Sequence, residues 1–152
     1  MLPPNAVISI RDKEQLVAAI QNARNSWATF TPQLDSFLAE LRDVPAVLPA
    51  EVPDDVVTVD TRFAVRDSRA DTVATFTLVF PDEADPDRGR VSVLSPAGMS
   101  LMGARVGQQV RWYADGNLRS VQVERILFQP EQAARLQARA TPRAATATVV
   151  AG

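Results

Sequence analysis

The apolar residues of this chain change their period once, and a proline-rich segment marks the place. Upstream, apolar side chains fall at Leu16, Ile20, Ala23, Trp27 and Phe30. Their spacing alternates between four and three, as in the seam of a helical coiled coil. Downstream, Val57, Val59, Phe63 and Val65 alternate with polar residues, and TVATFTLVF (72–80) is β-branched and aromatic. That is the pattern of strands. Between them VPAVLPAEVPD (44–54) carries three prolines, which cannot continue a helix and read as a semi-rigid linker. Helices followed by strands, without alternation, predict an α+β chain. The expected organisation is an extended start and helical hairpin over 1–48, a linker over 49–54, a sheet domain over 55–130, and a tail over 131–152.

In the first part, Asp12 reads as a helix N-cap with Gln15 three residues on, opening a helix over about 12–28. Thr31-Pro32 restarts the chain, since proline suits the first helical position. Leu34, Phe37, Leu38 and Leu41 then form a second stripe over about 32–43. The expected unit is a short antiparallel two-helix coiled coil. Stripes this narrow bury little surface, so the hairpin is expected to be marginal or to lean on the next domain.

The second part predicts about five antiparallel strands curled over one short helix at 97–103. Ser95 is a good N-cap, Pro96 suits the first helical turn, and Gly103 and Gly107 stop the helix. Met99, Leu101 and Met102 supply apolar contacts. ADGN (114–117) is a hairpin turn. After Pro130, Glu131, Arg135, Arg139 and Arg143 recur every four residues, which suits a solvated helix start. TPRAATATVVAG has no pattern and reads as disordered.

The chain has no cysteine and no histidine, which removes thiol and imidazole chemistry and the usual zinc ligands. The acidic loop Asp82, Glu83, Asp85, Asp87 does not follow EF-hand spacing and reads as a solvated turn. Arg62 and Arg66 lie on one strand face and read as solvated, with a partner contact as the alternative. A net charge of −2 without a dominant basic patch argues against strong direct nucleic-acid binding. No secretory signal and no long apolar run is visible, so a cytoplasmic, non-membrane protein is expected. No catalytic residue, metal site or cofactor is assigned.

The C-terminal part resembles the domain shared by bacterial Gre transcript-cleavage factors and Rnk-type regulators of nucleoside diphosphate kinase. The matching residues run in order: Asp55-Val56-Val57-Thr58-Val59, Thr77-Leu78-Val79, Pro81-Asp82-Glu83-Ala84-Asp85, Val91-Ser92-Val93-Leu94-Ser95-Pro96, Gly98, Leu101-Met102-Gly103 and Val106-Gly107. The short hairpin and the ending Phe128-Gln129-Pro130-Glu131 are similar to the Rnk branch. The resemblance implies an FKBP-like domain behind an antiparallel coiled coil, and binding to the rim of the RNA polymerase secondary channel. It places the docking contact at Leu94, Ser95, Pro96, Ala97 and Met99. Many Gre factors carry an acid where this chain has Leu94.

In Gre factors acidic residues at the hairpin tip hold a magnesium ion that promotes RNA hydrolysis. Here the tip, 25–33, contains no Asp or Glu. It offers Asn25, Trp27 and Phe30 instead, with the two aromatics read as closing the hairpin seam and, alternatively, as partner contacts. The expected protein is therefore a non-enzymatic regulator that occupies the channel rim, competes with Gre factors and does not stimulate cleavage. The alternatives are a regulator of nucleoside diphosphate kinase or another cytosolic partner, acting without polymerase, and a prolyl isomerase.

Overall fold

The computed structural model describes residues 2–25 and 32–139. The predicted hairpin tip residues Trp27 and Phe30, and the segment 140–152, lie outside the described residues. Strand β1 (Ile8–Ser9) leads directly into helix α1 (Ile10–Arg24), and helix α2 (Pro32–Asp43) leads into β2 (Ala46–Val47). β1 and β2 pair in parallel. The N-cap of α1 is Ser9, whose hydroxyl accepts from the Asp12 N–H at 3.0 Å. Asp12 is thus the third residue of the helix and not its cap. Its carboxylate turns away to another partner, described below. The single lysine, Lys13, donates to the carbonyls of Arg42 and Val44 at 3.2 and 3.0 Å. It thereby occupies acceptors that the end of α2 leaves open.

The second part is one mixed sheet of β3 (Arg62–Asp67), β4 (Val73–Val79), β5 (Arg90–Ser92), β6 (Gln109–Ala114) and β7 (Asn117–Phe128), in the order β5-β4-β3-β7-β6. The prediction of an all-antiparallel sheet fails at one edge, because β5 runs parallel to β4. The acidic loop explains this. It is not a simple hairpin turn but two 3-10 turns, Pro81–Glu83 and Pro86–Arg88, each opened by its proline. They double the chain back before β5 begins. Gly89 closes the return with φ +73°, and a Cβ there would sit 2.6 Å from the Thr75 carbonyl oxygen. Register shifts in the β3–β7 pair, next to Phe63 and Val65, curl the sheet. The β6–β7 turn has positive φ at Asp115 and Gly116, as a tight hairpin requires.

Helix α3 (Pro96–Leu101) is inserted between β5 and β6, two residues shorter at its end than predicted. A fourth helix, α4 (130–139), follows β7. The hairpin and sheet share one continuous core: Leu16, Ile20, Phe37 and Leu41 belong to the same cluster as Phe63, Leu78, Leu101 and Met102. The expected leaning of the hairpin on the sheet domain is borne out. Residues 57–59, predicted as a strand by alternation, form none. Val57, Thr58 and Val59 are all buried, because both faces of this segment are covered. Its backbone is satisfied by Gly103, Ala104 and side chains instead of by a ladder.

Candidate functional site

The stretch Ser92–Met102 forms a tightly determined turn and helix. Ser95 Oγ accepts from the Gly98 N–H at 3.1 Å and donates to the Ser92 carbonyl at 2.7 Å. The Ser92 hydroxyl accepts from the Leu94 N–H at 3.1 Å. These bonds lay α3 so close to the preceding turn that a Cβ on Gly98 would stand 1.8 Å from the Ser92 carbonyl oxygen. The Ser-Pro-x-Gly sequence therefore has a physical basis: serine caps, proline presets φ, and glycine permits the contact.

The predicted docking residues divide by exposure. Met99 is buried, at 5% exposure, and belongs to the core. Leu94 and Ala97 are half-buried and pack on that core, and Ser95 is half-buried with its hydroxyl engaged internally. Pro96 is exposed. The accessible part of the turn is Pro96 with the outer edges of its neighbours. On one side of Pro96 lies a cleft of about 680 Å³ shared with Ala19, Ala23 and Leu34 of the hairpin and Leu94 of the turn. On the other lies a cleft of about 570 Å³ lined by Phe37, Glu40, Arg111, Trp112 and Tyr113. The structure brings the turn and the hairpin flanks together. Asn25, the described tip residue, is the exposed C-cap of α1.

A second polar centre was not singled out by sequence. Asp12 is buried, and its Oδ2 accepts from the Val59 N–H at 3.2 Å. Burial pushes its carboxyl up to about 7, with Glu131 and Asp60 adding to the rise against the Val59 hydrogen bond. Asp60 is also raised, chiefly by burial and partly offset by Arg90. Beside them Thr58, Thr61 and Gln129 are buried, and all three are hydrogen-bonded. A sequence signal for part of this existed: Ser9-x-x-Asp12 has capping-box spacing. Nothing local pointed to Val59 as its partner.

Helix α4 does not stand free in solvent as its charge pattern suggested. Arg135 reaches the carbonyls of Pro49 and Ala50, each at 3.3 Å, and the carboxylate of Asp54. Gln129 Nε2 donates to the carbonyls of Pro53 and Val56, each at 2.8 Å. In the acidic loop Asp85 faces Arg88 at 3.5 Å and Glu83 faces Arg90 at 4.0 Å. On β3, Arg66 keeps its side chain partly exposed and also bridges Glu124 at 2.6 Å and Asp71 at 2.9 Å. Among the described residues no group of three or more acidic side chains is placed to hold a metal ion, and no helix is long and apolar enough to cross a membrane.

Comparison with known proteins agrees with this architecture. Residues 52–128 match the family described as "Transcription elongation factor, GreA/GreB, C-term". The chain is 30% identical over 134 residues to the "Regulator of nucleoside diphosphate kinase" of Escherichia coli K12, covering 88% of this chain and 96% of that protein. It is 28% identical over 107 residues to "Transcription elongation factor GreA" of Thermodesulfovibrio yellowstonii, covering 70% and 68% respectively. Among solved structures, a GreA/GreB elongation factor from Nitrosomonas europaea superposes with a TM-score of 0.67 at 27% identity, covering 83% of this chain and all of that one. The chain thus belongs to the GreA/GreB family and, within it, stands with the regulators of nucleoside diphosphate kinase.

Proposed function

We propose that this protein is a non-catalytic regulator that binds RNA polymerase in the cytoplasm. The α3 turn, led by Pro96, is the docking point at the secondary-channel rim, and the hairpin beside it covers the channel entrance. The observation that carries this reading is the juxtaposition of the exposed Pro96 turn with the flanks of α1 and α2 across one cleft. A partner seated on the turn meets the hairpin as well. The protein would exclude Gre factors by occupying their place.

Occupancy without cleavage follows from the sequence of the tip. Hydrolysis assisted by a hard cation needs carboxylate ligands, and 25–33 has none. The hairpin is also short. The 15 residues of α1 reach only about 22 Å at ~1.5 Å per residue. Leu94, half-buried on the core, offers no charge to the docking contact, so the contact rests on shape and apolar surface.

The test is capture of core RNA polymerase by the immobilised full chain, with Pro96→Glu as the variant. Glutamate at the first position of a helix is tolerated electrostatically, so the variant keeps α3 while removing the ring. Micromolar capture that P96E abolishes is expected, together with no stimulation of transcript cleavage on backtracked complexes. Absence of capture, or clear cleavage, would refute the reading. The second reading is regulation of nucleoside diphosphate kinase without polymerase. It is favoured by the function named for the Escherichia coli relative, and a change in purified kinase activity on adding this protein alone would support it. We read the sheet domain as FKBP-like in architecture, and its fully buried Phe63 serves the core, which disfavours a prolyl isomerase.

A further inference from the structure

Thr58 and Val59 are consecutive, and their polar links run to two different helices. The Thr58 hydroxyl donates to Glu131 Oε1 in α4 at 2.6 Å. The Val59 N–H donates to Asp12 Oδ2 in the first turn of α1 at 3.2 Å. Thr61 Oγ1 fixes the geometry between them. It accepts the Thr58 N–H at 2.9 Å and lies 2.7 Å from Thr58 Oγ1. Because the one hydroxyl hydrogen of Thr58 goes to the Glu131 carboxylate, Thr61 is the donor between the two hydroxyls. The result is a one-way chain of hydrogen bonds ending on a charge, in which each bond polarises the next.

Thr58 and Thr61 are at 0% exposure, Val59 at 4% and Asp12 at 6%. Water cannot readily replace a lost partner there, so a broken link leaves a buried polar group unpaired. The turn is also conformationally committed, since Asp60 has φ +68°. Helix α4 is also tied to residues 49–56 by Gln129, which precedes it, and by Arg135. A single dipeptide is thus bonded both to the last described helix and to the first.

We propose that α4 is a clasp that sets how firmly the helical hairpin seats on the sheet domain, acting through the Thr58–Thr61 turn that presents the Val59 N–H to Asp12. If α4 only covered the proline-rich segment, loosening it would leave α1 unaffected. With the clasp, loss of the Glu131 link is felt at the base of α1, through Thr58 and Val59. This device does not depend on polymerase binding.

The experiment is amide hydrogen exchange read by mass spectrometry on the full chain and on Glu131→Ala, Glu131→Gln and Thr58→Val. In E131A and T58V, exchange across α1 should accelerate by roughly tenfold or more, the loss of a hydrogen bond to a charged group. Exchange in β6 and β7 should stay at the parent rate. E131Q keeps an acceptor at Oε1 and should keep α1 near the parent rate. Acceleration confined to 130–139, or spread equally through the sheet, would overturn the proposal. So would α1 exchange at the parent rate in both E131A and T58V.

Discussion

Replacing Gly98 by alanine sets two effects of opposite sign against each other. Helix propensity favours alanine over glycine inside a helix by about 1 kcal/mol. The tertiary contact opposes it, since the new Cβ would lie 1.8 Å from the Ser92 carbonyl oxygen, 2.7 Å from its carbon and 2.8 Å from Val93 Cα. All three atoms are backbone, so no rotamer change relieves the clash. To reach an ordinary separation of ~3.3 Å, α3 must withdraw by about 1.5 Å. That stretches the 2.7 Å bond from Ser95 Oγ to the Ser92 carbonyl and lifts Leu101, at 0% exposure, from its packing. Overpacking of a core costs about 1–3 kcal/mol and a lost hydrogen bond about 1 kcal/mol. With the propensity gain subtracted, G98A should be destabilised by about 2 kcal/mol. In a chain of this length that lowers Tm by about 4–8 °C, and the urea midpoint by about 1 M at a slope near 2 kcal/mol/M. Urea unfolding followed by circular dichroism measures this. A midpoint equal to or above the parent's would refute the argument from contact distance and leave propensity as the controlling effect.

Asp12 should make stability depend on pH. Its carboxyl is raised from 3.8 to about 7, so the folded chain keeps a proton that the unfolded chain releases. The stabilisation is fully present below the unfolded value and is lost as pH rises through about 7, with a slope of up to about 1.4 kcal/mol per pH unit. Urea midpoints between pH 4 and 8 should fall for the parent and flatten for D12N, which retains an acceptor for Val59. A Gln129→Ala change removes the amide donor from the buried Val56 carbonyl and from the half-buried Pro53 carbonyl and should cost about 1–3 kcal/mol in thermal unfolding. Phe63→Ala removes a fully buried ring that meets Phe76 edge-on at 6.2 Å. It should cost about 3–5 kcal/mol by the same assay.

Legibility in the sequence followed the range of the cause. Ser95, Pro96, the α3 start and the ADGN turn were readable because capping and turn chemistry act within four residues. The stripes Leu16, Ile20 and Leu34, Phe37, Leu38, Leu41 were readable because a helix repeats its face. Two local readings went astray where a distant partner intervened. Val57 and Val59 alternate like a strand, yet their backbone partners are the Gly103–Ala104 turn and a carboxylate. The charges of α4 look solvated, yet Arg135 meets carbonyls from residues 49 and 50.

The candidate docking site shows the same division. Its local shape was legible, but whether Met99 faces a partner or the core was not, because an α3 of six residues has no clear apolar face to read. By itself, the sequence determined the α+β plan, the positions of the helix starts and the family motif, since each rests on short-range periodicity and backbone chemistry. Only the tertiary structure decided that hairpin and sheet share one core, that β5 joins in parallel, and that Asp12, Thr58 and Glu131 form one centre. Those facts depend on which surfaces are buried against each other, and burial converts a surface carboxylate into a group that titrates near neutrality.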